Sequence, residues 1–402
     1  MEEPMEVEHS YSVYEQMRNP KMLARYWSMK SKEVAGRTEL HGSSPTDIFI
    51  GRFGYPKVSI GPLIPPDFGD TSIMAAPERW HGLSINEVFG IRGSLVRGMY
   101  TTMVKNVENG KVEEQVRELA LAERPTTAEI SFQSQIRRAS GRRIIDDISP
   151  FGPSGTIKEF GLSNTRSEHR VENAHTDTAM KASDAIFELY NKGVTVSKIQ
   201  MGLSAGLFGI GRNRKFVPTR WSITAVDDTI SKRNLKEVKE FPLIDGIKAY
   251  LHIALDNKWL IFLFPTEWEY ESIEAFYPHT TWNETNTISL GGSYEPYAGR
   301  KEYAEIGGCY YSGRLAVSER LRMMGKQASA LILREVHEGY TAPVGVWNVR
   351  EYVRDTLSTA SIELPDLKSV FEMIDKELTV RRSDWVKSSR ILSKMTFQRR
   401  LS

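Results

Sequence analysis

The sequence has a single cysteine, Cys309, in 402 residues. One thiol excludes an intramolecular disulfide framework and any cysteine-rich zinc site, and it points to a reducing compartment. Long hydrophobic runs are missing too. The longest, WLIFLF at Trp259–Phe264, is far too short to cross a bilayer, so no membrane partner is expected. The opening MEEPMEVEHS is acidic with no apolar run behind it, which argues against a signal peptide and leaves the cytoplasm as the expected location. Charge of one sign is scarce: 53 Lys and Arg against 51 Asp and Glu leave +2. Any affinity for a polyanion must therefore come from local patches. Neither standard phosphate-loop spacing occurs, and no internal repeat is visible.

What remains is a chain with 40% hydrophobic and 26% charged residues, which reads as globular and long enough for two or three domains or one large one. Residues 1–39 form a polar tail with an amphipathic helix expected in SVYEQMRNPKMLARYW. TDIFIGRFGYPKVSIGPLIPP gives two short strands punctuated by Gly51, Gly54, Pro56 and Gly61; with Arg52 and Lys57 it is either a bent sheet edge or a cradle for phosphate. Ala182, Ala185, Ile186, Leu189 and Tyr190 share one helical face, Gly193 supplies a left-handed cap, and a second helix restarts with Ser197 as N-cap. That is a helix-turn-helix-like hairpin near 182–207, but Pro218 interrupts the basic run behind it, so no recognition helix is expected there. IKAYLHIALDNKWLIFLFP reads as a β-hairpin turning at Asp256-Asn257, Ala330–Leu333 as a strand, and LPDLKSVFEMIDKEL and SDWVKSSRILSKM as closing helices. Strands and helices come in blocks, which predicts an α+β fold with a mixed or antiparallel sheet and packed helices.

The stretch RKFVPTRWSITAVDD, residues 214–228, concentrates the chemistry. Arg212, Arg214, Lys215 and Arg220 fall within nine positions without an acidic residue, and Phe216 and Trp221 are interleaved with them. Arginine with aromatic side chains suits phosphate contact and base stacking. RRASGRR adds Arg137, Arg138, Arg142 and Arg143 in a loop, and residues 376–402 hold eight Lys or Arg against Glu377 and Asp384, a net +6. Trp221, Ile223 and Ala225 alternate like a strand ending on Asp227 and Asp228. The acid pair has two readings. It either caps the helix expected to follow, or it binds Mg²⁺ or Mn²⁺ with a third carboxylate from Glu274 or Glu335 and His337 as general base.

FIGRFGYPKVSIGPLIPP, GLSINEVFGIRGSLVRG, GVTVSKIQMGLSAGLFGIGRNRKFVPTRWSITAVDDTISK and APVGVWNVRE resemble the archaeal Nre family of DNA repair proteins, in collinear blocks from about residue 40 to nearly the end. The resemblance implies an N-terminal domain over 40–290, a C-terminal domain over 291–402 ending in a basic helix, a role in repairing damaged DNA, and partners among other repair proteins. It supplies no assigned active site. Many members begin with a cysteine-rich, zinc-finger-like segment; here no cysteine precedes Cys309, so no zinc finger is expected. Members also often end in a sliding-clamp motif. QRRLS supplies Gln398 and Leu401, but Ser402 follows before any aromatic residue, so the motif is incomplete unless Phe397 serves in another register. The expectation is a protein that binds damaged or branched DNA through Arg212, Arg214, Lys215, Arg220 and Trp221, joined by Arg137, Arg138, Arg142 and Arg143. The alternatives are a metal-dependent nuclease using Asp227 and Asp228, and a nucleotide-handling enzyme using GRFGYPKVSIGP.

Overall fold

The structure, a computed structural model, describes residues 7–9, 34–137, 148–163, 165–280, 282–283 and 285–401, with side chains from 34 to 397. The helix expected in SVYEQMRNPKMLARYW lies outside the described residues. The chain divides into two compact units, Leu23–Ile230 and Met1–Met22 with Ser231–Ser402. The division differs from the 290/291 boundary because residues 247–276 supply three strands to the same sheet as the C-terminal strands. No helix among the described residues is long and apolar enough to cross a membrane.

Strand β1 (Val7–His9) is the first described element and belongs to the later unit. The unit Leu23–Ile230 is built on a six-stranded sheet containing β2 (Glu39–Ser44), β3 (Ile48–Ile50), β4 (Lys57–Ile64), β5 (Val96–Met103), β6 (Thr126–Phe132) and β7 (Ser154–Ser163), in the order β2-β6-β7-β5-β4-β3. Only β5 and β7 run parallel. Period-2 burial is clearest in β6, where Thr126, Ala128, Ile130 and Phe132 point inward. Gly61 lets β4 approach β5: a Cβ there would lie 2.0 Å from the Gly98 carbonyl oxygen.

Among the described residues, five α-helices precede the last one of this unit. They are α1 (Ile85–Arg92), whose Ser84 and Glu87 form a capping box, α2 (Lys111–Leu121), α3 (His169–Thr176), α4 (Ala182–Asn191) and α5 (Val196–Ser204). The α4–α5 hairpin forms as its sequence predicts, with Ala185, Ile186 and Leu189 buried and Gly193 at φ +75°. The α5 cap is Thr195, which accepts from the Lys198 amide at 3.3 Å, rather than Ser197; Glu78 takes the Ser197 amide instead, at 2.9 Å. Helix α5 is buried from Ile199 through Ser204, so it has no open face with which to read a DNA groove.

Residues 219–238 form one continuous helix, α6 (Thr219–Val238), not a strand followed by a helix. Pro218 opens it instead of interrupting it: its carbonyl accepts from the Trp221 amide at 2.8 Å and the Ser222 amide at 3.0 Å. The two units divide between Ile230 and Ser231, within α6.

The other unit is a seven-stranded mixed sheet in the order β1-β11-β10-β12-β9-β8-β13, made with β8 (Ile247–Ala254), β9 (Asn257–Phe264), β10 (Tyr270–Phe276), β11 (Ile288–Glu295), β12 (Ser329–Val336) and β13 (Ile362–Leu364). The hairpin β8–β9 turns one residue earlier than its sequence suggests, on Leu255 and Asp256 at φ +50° and +55°. Asn257 instead begins β9 and donates to the Leu255 carbonyl at 2.7 Å. WLIFLF and SALIL are continuous apolar runs because β9 and β12 are central strands buried on both faces.

One face packs on α9 (Leu367–Glu377), α10 (Arg382–Ser388) and α11 (Arg390–Leu401), with Leu331, Leu333 and Phe262 against Val370, Ile374, Trp385 and Ile391. Helices α7 (Gly308–Met324) and α8 (Trp347–Ser358) pack together on the opposite side, where a Cβ at Gly313 would meet Ile332 and Val349. Two buried glutamates of the first face secure the chain after α9. Glu335 accepts from the Thr379 and Val380 amides at 2.8 and 2.7 Å; Glu271 accepts from the Ser389 hydroxyl and the Arg390 and Ile391 amides at 2.6, 2.8 and 3.1 Å.

Candidate nucleic-acid interface

Ahead of α6 the chain leaves a 3-10 turn at Gly211–Asn213 and runs extended from Arg214, and its side chains alternate. Arg214, Phe216 and Pro218 turn inward while Arg212 and Lys215 are exposed. The Phe216 amide donates to the Val104 carbonyl at 2.8 Å and the Val217 amide to the Ser204 carbonyl at 2.9 Å, which fixes this alternation. Arg214, expected at the DNA surface, is only 7% exposed. Its Nε donates to the Gly209 carbonyl at 2.8 Å, one terminal nitrogen reaches the Asp177 carbonyl at 3.0 Å, and the other lies 3.0 Å from His175 Nδ1. It is a structural arginine that joins the α3 end to the segment after α5. His175 lies between it and Arg117, whose guanidinium is 3.4 Å from Nε2. Burial, then the two guanidiniums, push the His175 pKa below its ordinary value, with the Leu207 carbonyl and Glu108 opposing.

Trp221 remains at the surface, 43% exposed, in the first turn of α6 beside the half-buried Arg220. Its ring centroid lies 5.0 Å from that of Tyr55, tilted by 56°. Tyr55 belongs to the β3–β4 turn, where Tyr55 is 42% and Phe53 73% exposed and the Tyr55–Pro56 peptide is cis. The Arg52 guanidinium sits 5.3 Å from the Phe53 ring centroid, and Lys57 is exposed. The turn is well tied: the Gly51 amide donates to Ser59 O at 2.7 Å, Lys57 to Gly54 O at 2.9 Å, and Ile50 to the Thr219 hydroxyl at 2.9 Å. The Gly51, Tyr55 and Lys57 amides are thus spent on internal acceptors, which disfavours the backbone phosphate cradle. Phe53 and Tyr55 escaped the sequence reading; the signal was two aromatics among turn-forming glycines, where no core position exists.

The acid pair lies in the middle of α6, so neither residue caps a helix. Asp227 is 0% exposed and accepts from Gln200 Nε2 at 2.9 Å. Consecutive helical residues diverge by about 100°, so Asp227 and Asp228 do not aim at one ion. Among the described residues no group of three or more His, Cys, Asp or Glu is placed to hold a metal. A polar group that sequence reasoning missed is Lys198 on α5, whose Nζ donates to the Ala122 carbonyl at 2.6 Å. Burial lowers its pKa to about 8 against the pull of Glu168 and Asp47.

The other unit holds the remaining candidates. Glu274, the proposed third carboxylate, pairs with Arg334 at 2.5 Å, both buried. Glu335 and His337 do come together, Oε2 to Nε2 at 3.3 Å, with the Tyr277 ring centroid 4.2 Å from that of the imidazole and tilted by 30°. Glu335 is spent through Oε1 on the chain after α9, so its position is explained by anchoring. Four of the eight C-terminal cations are paired at close range: Lys376 with Glu377, Arg381 with Asp384, Arg382 with Asp375 and Lys394 with Glu269, at 2.8, 3.0, 3.0 and 2.7 Å. Arg137 is exposed at the end of a described segment; Arg138, Arg142 and Arg143, like the side chains of Gln398 and Leu401, lie outside the described residues.

Residues 18–283 match the family described as Archaeal Nre, N-terminal, and residues 295–402 match Archaeal Nre, C-terminal. The chain belongs to the archaeal Nre family. It is 39% identical to DNA repair protein NreB of Archaeoglobus fulgidus over 364 residues, 90% of this chain and 91% of the relative. It is 36% identical to DNA repair protein NreA of Haloferax volcanii, covering 80% and 79% of the two chains, and 32% identical to NreA of Archaeoglobus fulgidus, covering 90% of each. No solved structure matches.

Proposed function

We propose that this Nre protein acts in DNA repair by binding damaged or branched DNA through a basic, aromatic surface at the start of α6. The observation that carries the reading is the outward-facing set Arg212, Lys215 and Trp221, with Arg220 beside Trp221. The names of its relatives as DNA repair proteins support the same direction. Arginine and lysine neutralise phosphates with release of counterions, so the association must weaken steeply with salt. Arg214 is excluded from the contact set by its burial and acts by holding the segment in shape.

The test is incubation of the pure protein with labelled single-stranded, duplex and forked DNA, in Mg²⁺, Mn²⁺ or EDTA, resolving bound and cleaved species together. Salt-sensitive binding without product is the expected result. Binding unchanged between low and high salt would overturn the reading. Metal-dependent product would instead make the protein a nuclease, with ligands other than Asp227. Clamp and repair-protein partners are tested separately by equilibrium binding of the full chain to a purified sliding clamp.

A further inference from the structure

We infer that Phe53, Tyr55 and Trp221 form a platform on which unpaired bases of single-stranded DNA stack, with Arg52 and Lys57 taking the adjoining phosphates. The inference rests on the DNA-binding reading and specifies the ligand of that surface. Isolated exposed apolar residues are ordinary, but here two aromatic rings share one turn and the third touches it at 5.0 Å. A core role does not explain them, because Phe53 keeps 73% of its surface in water. Residues 51–57, GRFGYPK, contain two cations and no carboxylate, so the surroundings favour an anionic partner over an apolar peptide.

The hydrogen bonds that close the turn and tie Ile50 to Thr219 hold the rings before any ligand arrives, which reduces the ordering cost of binding. Every base has a π-face, so such a platform tolerates sequence and selects for bases that are unpaired.

The experiment uses the full chain with a fork carrying 2-aminopurine in its single-stranded arm, and a fully paired duplex as reference. The expected result is quenching of tryptophan fluorescence by oligo(dT) that is lost in Trp221→Phe, and a loss of fork affinity of about 5- to 100-fold in Phe53→Ala or Tyr55→Ala. Duplex affinity and thermal unfolding should stay unchanged, and Phe53→Tyr should retain fork binding. Fork binding by wild-type protein that both alanine variants match would overturn the platform and leave the DNA-binding reading standing. Absence of any DNA binding by the wild-type protein would overturn both. Equal losses on fork and duplex would also overturn the platform, since stacking requires unpaired bases.

Discussion

Arg314 on α7 and Glu295 at the end of β11 form a 2.6 Å ion pair, each side chain 2% exposed. Glu295 also accepts from Tyr310 at 2.7 Å and Trp268 Nε1 at 3.0 Å, and Arg314 Nε reaches the Ser231 hydroxyl at 3.2 Å. Breaking a buried pair from one side leaves an uncompensated charge, so Arg314→Met should cost about 3–5 kcal/mol. Adding Glu295→Gln to that variant should recover part of the loss. Denaturant unfolding of the single and double variants checks this; an additive double variant would mean that the pair is not coupled.

Arg212→Ala with Lys215→Ala should weaken DNA binding while leaving the fold intact. The slope of log K against log[salt] should become shallower by about 1 for each phosphate no longer neutralised. Arg214→Ala should behave oppositely. It strands the Gly209 and Asp177 carbonyls, costing about 1–3 kcal/mol of stability, with DNA affinity changing only through the fold. Salt titrations paired with melting curves separate the two.

Asp227→Asn keeps an acceptor for Gln200, so DNA binding should stay within about twofold of wild type. Asp227→Ala leaves the buried Gln200 amide without that acceptor and should cost about 1–3 kcal/mol. A large loss of binding in the asparagine variant at unchanged stability would restore a direct role for the carboxylate.

His175 makes folding sensitive to acid. Its folded pKa is depressed, so below its ordinary value of about 6.5 the unfolded chain binds the extra proton more readily. Its contribution is fully present above pH 6.5 and is lost as the pH falls through the folded pKa. His175→Gln should flatten that part of the stability profile, measured by urea unfolding between about pH 5 and 7.5.

The legible parts of the fold were those where burial is apolar and periodic. Ala185, Ile186 and Leu189 announced α4, and the apolar runs on either side of residues 255–256 announced the β8–β9 hairpin. Helix α6 was hidden because half of its inward side is polar: Ser222, Asp227, Ser231 and Asn234 are buried beside Val226, Ile230, Leu235 and Val238, which blurs the hydrophobic period of 3.6. The alternation of Trp221, Ile223 and Ala225 then imitated a strand. Charge density located the candidate surface but not which cations face outward. That depended on the extended backbone after α5, which turned Arg214 in and Lys215 out. Two of the four carboxylates that pair with C-terminal cations, Glu269 and Asp375, lie outside the stretch where the positive charge was counted.

The glutamates of β10 and β12 also impose an order of events during synthesis. Both strands leave the ribosome before residues 379–391, so Glu271 and Glu335 must wait for the amides that will occupy them. The unit Leu23–Ile230 leaves the ribosome ahead of those residues, and domains generally fold in the order in which they emerge. A nascent chain halted before Ser389 would leave Glu271 without any of its three donors. The last helices are thus the closing stitch of their sheet, and a ribosome stalled there would hold that sheet still open.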